Sequence, residues 1–289
     1  MRTLVYKLIY QPGINRVLRT FNRWLSPIIG FRLLPSGVLD LRLKSGTAFK
    51  LSCNPTSHVA KVLYYGSPDA FEYTSIFEHL ILRCHSFADV GANAGYYSIL
   101  AAKLNPAIKV YAFEPAPGPL YFLRKNVAIN GLESNVETAA LALHSSSGTL
   151  NFQPAFSPKY AYLEHHLGGT GHAVAGASST KVPSETLDRF LGERLIDLIK
   201  LDTEGNEDQI LAGAESVIKT HRPIIICETL FNKIEPELES TMIAHGYEFY
   251  NHRNGRLIKV ETLKRTVDDG IRDCFFVPRE KFSWIEEFI

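Results

Sequence analysis

The chain has 289 residues, 45% of them hydrophobic and 21% charged, with a formal net charge of +1. That length accommodates one large α/β domain with a small extension, and the composition excludes a disordered or fibrous protein. The balanced charge creates no molecule-wide attraction to nucleic acid, and four cysteines without a Cys-x-x-Cys pair argue against a zinc site or a disulfide framework.

Charge is distributed unevenly. Arg2, Lys7, Arg16, Arg19, Arg23, Arg32, Arg42, Lys44, Lys50 and Lys61 precede Asp69 with Asp40 the only acid among them, so the N-terminal quarter is cationic. Over residues 14–25 the apolar side chains Ile14, Val17, Leu18, Phe21, Trp24 and Leu25 recur at helical spacing, with Arg16, Arg19 and Arg23 on the other face. Such a basic amphipathic helix ordinarily packs its stripe on its own domain; the alternatives are docking on an anionic membrane surface or service as an organellar presequence. No apolar run reaches membrane-spanning length and no secretory leader is recognisable, which leads to the expectation of a cytoplasmic protein, with peripheral membrane contact through this helix as the variant of that reading.

Residues 37–53 alternate as a β-hairpin around Ser45 and Gly46, and a helix is predicted over 70–83. Residues 1–69 therefore read as an extension packed on the core, and 70–289 as the main domain. Strands are predicted at 86–90, 108–113, 136–140, 196–201, 224–228, 247–250 and 274–277, with helices between most of them. That rhythm specifies an α/β, Rossmann-like fold: a mostly parallel seven-stranded sheet with helices on both faces and right-handed crossovers. The last two strands are joined by a short polar connection, 251–273, so one of them runs antiparallel. The segment 151–181 breaks the rhythm with Gly, Ser, His and Tyr. It reads as an insertion over the active face where an acceptor is recognised, the alternative being a surface excursion.

The chemistry begins at Phe87-Ala88-Asp89-Val90-Gly91-Ala92-Asn93-Ala94-Gly95-Tyr96-Tyr97-Ser98, a strand, a glycine turn and a helix start. Gly91 and Gly95 allow a ligand to approach backbone at the end of the first strand. A dinucleotide-binding turn uses Gly-x-Gly-x-x-Gly; here Asn93 stands where its second glycine would be and hinders a pyrophosphate. Asp89 instead offers a carboxylate suited to a cationic amino group. The next strand ends in Phe113-Glu114-Pro115, where Glu114 can accept hydrogen bonds from both hydroxyls of a ribose. A ribose acid, an amino-group acid and no phosphate spacing together favour S-adenosylmethionine over NAD.

These two blocks, with Ile199-Lys200-Leu201-Asp202-Thr203-Glu204-Gly205-Asn206-Glu207 and the later Arg222-Pro223, resemble the FkbM-type methyltransferase family over roughly residues 64–228. The resemblance implies a class I methyltransferase fold, S-adenosylmethionine as methyl donor and most often an oxygen acceptor, with sugars and polyketide-like natural products among the acceptor classes. Asn206 departs from the small residue common at that place.

An alcohol becomes a competent nucleophile as its proton is removed, so a base belongs near the acceptor. Asp202 at the end of the fourth strand is the first candidate and also reaches the methionine end of the donor; Glu204, His172 and Glu228 are the others. Glu207 fits better as a cap of the helix that follows. The donor set is thus Asp89, Gly91, Asn93, Gly95, Glu114 and Asp202, and the catalytic set Asp202, Glu204 and His172. Asp202, Glu204 and Glu228 carry oxygens of the kind magnesium takes, but strand-end carboxylates commonly lack metal and none is assigned. The partner is a small-molecule or glycan acceptor and no nucleic acid. The competing readings are an NAD-linked oxidoreductase and a non-catalytic methyltransferase-like module that binds membranes or partners.

Overall fold

The computed structural model describes residues 2–154, 156–168 and 179–289. Two helices, α1 (Arg2–Ile9) and α2 (Pro12–Ile29), lead into a hairpin of β1 (Gly37–Arg42) and β2 (Ala48–Cys53). Helices α3 (His58–Tyr65) and α4 (Thr74–Ile81) follow, and α4 delivers the chain into the central strand β3 (Ser86–Val90).

From β3 the chain builds outward through α5 (Tyr96–Leu104), β4 (Lys109–Phe113), α6 (Pro117–Asn130) and β5 (Val136–Ala139). A small sheet of β6 (Ala142–Leu143), β7 (Gly148–Phe152) and β8 (Thr180–Glu185) then interrupts the main sheet. After α7 (Leu187–Leu191) the chain returns beside β3 as β9 (Leu198–Leu201). It continues through α8 (Glu207–Ala212), α9 (Glu215–His221), β10 (Ile224–Glu228) and α10 (Glu235–Ala244) to β11 (Tyr247–Arg253), β12 (Arg256–Val260) and β13 (Asp273–Pro278).

The main sheet has the order β12-β11-β13-β10-β9-β3-β4-β5 among the described residues. The run from β10 to β5 is parallel, while β13 pairs antiparallel with both β10 and β11, as the short connection required. The sheet has eight strands where seven were expected. The eighth, β12, lies in what looked like a polar connection. Asn254 (φ +52°) and Gly255 (φ +76°) take the two left-handed positions of a tight hairpin turn, and β12 pairs back on β11. The Asn-Gly signal was present in the sequence, masked by the exposed Arg256 and Lys259 that flank it.

Every residue of β3 and of β9 is buried, because helices cover both faces. Period-two alternation splits them between two cores: Phe87, Val110, Leu198, Ile226 and Phe275 face one side, and Ala88, Tyr111, Ile199, Ile225 and Phe276 the other. The hairpin joins the first core through Leu39, Leu41, Phe49 and Leu51. Asn126 of α6 locks it there, accepting from Ser52 N (2.6 Å) and donating to Ser52 O (3.2 Å) and to Ala94 O (2.9 Å).

Two further expectations change. The ends of the segment 151–181 are not loop: β7 and β8 pair antiparallel from Gly148↔Ser184 to Phe152↔Thr180, so the excursion springs from a paired base. Helix α2 is present and longer than expected, but it does not pack its apolar stripe. The residues it buries are Asn15, Arg19 and Ser26.

Candidate active site

The strand order reverses between β3 and β9, and the loops at their carboxyl ends meet there, the position at which open α/β sheets bind ligands. The loop after β3 is drawn tightly over β9. Gly91 has φ +75°, and a Cβ on it would overlap the carbonyl oxygen of Asp202. Asp202 N in turn donates to Val90 O at 3.1 Å. Gly95, at φ +84°, opens α5, and a Cβ there would stand 2.5 Å from Leu123 Cδ1. Gly91 is therefore demanded by backbone contact and Gly95 chiefly by its left-handed conformation, requirements additional to the ligand approach inferred from sequence.

Asn93 also adopts a left-handed conformation, φ +50°, which asparagine tolerates better than most residues. Its backbone N–H donates to Glu114 Oε2 at 2.9 Å, and Ala116 N donates to Glu114 Oε1 at 2.8 Å. Glu114 thus ties the first loop to the second, with lone pairs remaining on both oxygens. Burial pushes its carboxyl up to about 7 against the lowering effect of these two N–H groups.

Beside it, Val90, Gly91, Phe113, Pro115, Leu143 and Phe152 line a mainly apolar cavity of about 210 Å³, closed by Thr203, Asn206 and Ile210. The small sheet supplies one of its walls. That wall brings the base of the 151–181 excursion to the cavity.

A second cavity, about 430 Å³, opens on the other side of the β9 end and is lined by Glu72, Asp202, Glu228, His252, Arg272 and Asp273 among others. Its chemistry follows from strand alternation. Asp89, Lys200, Asp202, Glu228 and Asp273 fall on the sheet face of the first core, since each is an even number of residues from a member of that core on its own strand. Four carboxylates and one ammonium are aligned along one edge.

Lys200 is 4% exposed and Asp89 1% exposed; they are register partners on β9 and β3 with Nζ and Oδ1 3.8 Å apart. Lys200 Nζ donates to Asp202 Oδ2 at 3.0 Å, and Ser98 Oγ donates to Asp89 Oδ2 at 2.6 Å. Glu72, at φ +44°, accepts from Tyr97 OH at 2.9 Å. Burial raises the carboxyls of Glu72 and Asp89, opposed in each case by Lys200. Burial and then the neighbouring Asp202 and Glu204 carry Glu228 up to about 8; burial and then Glu72 and Asp202 carry Asp273 to about 8.

The structure therefore brings together Asp89, Gly91, Asn93, Gly95, Glu114 and Asp202, and sets Asp202 between the two cavities. Asp89 is buried against Lys200 and lines neither cavity. Glu204 is exposed at φ +64°, acts electrostatically on Glu228 and lines neither cavity. His172 lies outside the described residues. Glu207 is fully buried and accepts from Thr203 N, Thr203 Oγ1 and Gly205 N, the helix-start role preferred for it. Among the described residues no three His, Cys, Asp or Glu side chains are gathered to hold a metal.

Sequence reasoning gave no role to Lys200, Glu72 or Asp273. Lys200 was detectable, because a lysine two residues before Asp202 on a strand shares its face. Glu72 and Asp273 arrive from distant segments and carried no local signal.

With this geometry in place, comparison with known proteins identifies the family. Residues 89–249 match the family described as the methyltransferase FkbM domain. The chain belongs to the FkbM methyltransferase family. It is 28% identical over 192 residues to methyltransferase sdnD of Sordaria araneosa, covering 57% of this chain and 74% of that protein. It is 31% identical over 151 residues to the 31-O-demethyl-FK506 methyltransferase FkbM of Streptomyces tacrolimicus, covering 44% and 58%. A hexuronic acid methyltransferase, AglP of Haloferax volcanii, is 28% identical over 147 residues, covering 48% and 53%. The matches thus span about half to three quarters of these relatives' own lengths. The solved structure of a methyltransferase FkbM from Methylobacillus flagellatus KT superimposes with a TM-score of 0.45 at 15% identity, over 78% of this chain and 55% of that one. Family membership and the observed sheet order give this FkbM methyltransferase a class I methyltransferase fold.

Proposed function

We propose that this enzyme transfers a methyl group from S-adenosylmethionine to a hydroxyl oxygen of a carbohydrate-like or natural-product-like acceptor. The observation that carries the proposal is the pair of unlike cavities flanking one strand end, with Gly91 and Thr203 in the apolar one and Asp202 in the carboxylate-lined one.

The apolar cavity suits a flat purine, and Glu114, between the lining residues Phe113 and Pro115, can accept from ribose hydroxyls while keeping its two backbone partners. S-adenosylmethionine, when bound, supplies a methyl group on a sulfonium centre as the electrophile. The protein's part is alignment and proton removal. Asp202 faces the second cavity with a half-exposed side chain, and Lys200 fixes its orientation through the 3.0 Å contact. An acceptor hydroxyl there would give its proton to a carboxylate oxygen of Asp202 as its oxygen bonded the methyl carbon and the carbon–sulfur bond broke, leaving a neutral thioether.

The ring of Glu72, Glu228 and Asp273 offers carboxyl oxygens as hydrogen-bond partners to a polyhydroxylated acceptor, with the carboxyls of Glu228 and Asp273 raised to about 8. Arg253 and Arg272 in the same wall are paired with Asp269 and Asp268. Relatives named for 31-O-demethyl-FK506 and for hexuronic acid support acceptors of these classes. Incubating the enzyme with methyl-labelled S-adenosylmethionine and matched sugar and macrolide alcohols and amines tests the reading by mass spectrometry. Label on an ether oxygen sustains it; label confined to nitrogen or carbon contradicts it.

A further inference from the structure

Helix α2 is mounted with its polar side inward. Asn15 donates to Leu34 O at 3.1 Å and accepts from Ser36 N at 2.8 Å. Arg19 is buried and donates to Ser36 O at 2.6 Å and Val38 O at 2.9 Å. Asn22 donates to Phe31 O and accepts from Leu33 N. Spaced three or four apart, these residues form one hydrogen-bonded seam. The helix cannot roll its apolar face onto the domain without leaving this seam unpaired.

The apolar face is consequently presented outward. Phe21 is 67% exposed, Trp24 81% and Ile28 82%, and Val17, Leu18, Leu25 and Ile29 extend the stripe. Leu4, Val5 and Leu8 of α1 and Phe31 beyond α2 are exposed as well. A contiguous apolar stripe of this kind marks an interaction surface. Its occupant is indicated by charge: residues 1–39 contain six Arg and Lys and no Asp or Glu, and among the described side chains of the six only Arg19 is buried in the seam and only Arg16 meets an acid, Asp40 at 4.0 Å with both side chains exposed.

We infer that α1 and α2 dock this enzyme on an anionic lipid bilayer, with the Phe21, Trp24 and Ile28 stripe in the headgroup–acyl boundary. An apolar face, aromatic residues and acid-free cationic flanks are the combination that binds a helix in the plane of such a surface. Symmetric pairing of two copies through the stripe would instead bring two acid-free cationic segments together. No helix among the described residues is long and apolar enough to cross the membrane, so contact is with one leaflet.

The 289-residue chain holds two tryptophans, Trp24 and Trp284. Trp284→Phe leaves Trp24 as the reporter, and it should blue-shift with vesicles of phosphatidylcholine and phosphatidylglycerol but not with phosphatidylcholine alone. Flotation with the same vesicles should show binding that weakens with salt, and roughly fivefold with each near-surface cation removed, as in Arg23→Gln. Phe21→Ser/Trp24→Ser should lose flotation by tenfold or more with an unchanged thermal midpoint, since neither side chain packs in a core. Equal binding to neutral vesicles, no flotation with either vesicle, or a dimer by sedimentation that the same double variant dissolves would each overturn the inference.

Discussion

Asp89 and Lys200 are direct neighbours across the β3–β9 pair, their charged atoms 3.8 Å apart and both side chains sealed from solvent. The ammonium also donates to Asp202, so one buried cation holds both Asp89 and the rim of the carboxylate-lined cavity. The catalytic candidate is thereby positioned by a sheet interior rather than by a loop, which is the more rigid arrangement.

Removal of that cation should be costly. Lys200→Met leaves Asp89 buried without its counter-charge, which typically costs about 3–5 kcal/mol. Adding Asp89→Asn should recover much of the loss, because it removes the uncompensated charge. Urea unfolding of the two single variants and the double variant checks this; additive losses would show that the pair does not interact.

Glu228 and Asp273 set a pH dependence whose sign is fixed by their raised carboxyls, both at about 8. In the unfolded chain these acids ionise near pH 4. Folding therefore favours the protonated forms, and their stabilising contribution, complete below pH 4, is lost progressively as pH rises to about 8. Glu228→Gln removes its share of that loss. Its unfolding midpoint should rise relative to the natural protein between pH 5 and pH 9; a constant difference over that range would contradict the assignment.

Asp202→Asn should lower kcat by about 10²–10⁴, the loss expected when a base that removes the acceptor's proton is neutralised. Glu204→Gln, altering an exposed residue outside both cavities, should leave kcat within a few-fold. Steady-state kinetics with any turned-over acceptor distinguishes them, and a larger loss in Glu204→Gln would reverse the roles.

Much of this was legible because it depends on local signals. Asp89, Gly91, Asn93, Gly95 and Glu114 lie in two short strand–turn–helix units, and the alternation of short apolar strands with helices pointed to a mostly parallel sheet with one antiparallel strand near the end. The eighth strand was overlooked because β12 carries exposed Arg256 and Lys259, although the Asn254-Gly255 turn announced it. The orientation of α2 was not legible at all. Periodicity finds the two faces of a helix, but which one packs depended on Asn15, Arg19 and Asn22 meeting backbone groups of residues 31–38. The carboxylate-lined cavity was half legible. Asp202 and Glu228 follow strands, whereas Glu72 is brought by the turn before α4 and Asp273 by an antiparallel strand whose partner could not be read from spacing.

The most direct measurement is calorimetric titration of the protein and of Glu114→Ala with S-adenosylhomocysteine, with NAD as the comparison. Micromolar binding of the first ligand at pH 8, weakened tenfold or more by Glu114→Ala and absent for NAD, is the expected result, because loss of a carboxylate that receives both ribose hydroxyls removes charge-assisted hydrogen bonds. Binding of NAD, or binding of S-adenosylhomocysteine that ignores the loss of Glu114, would contradict the account.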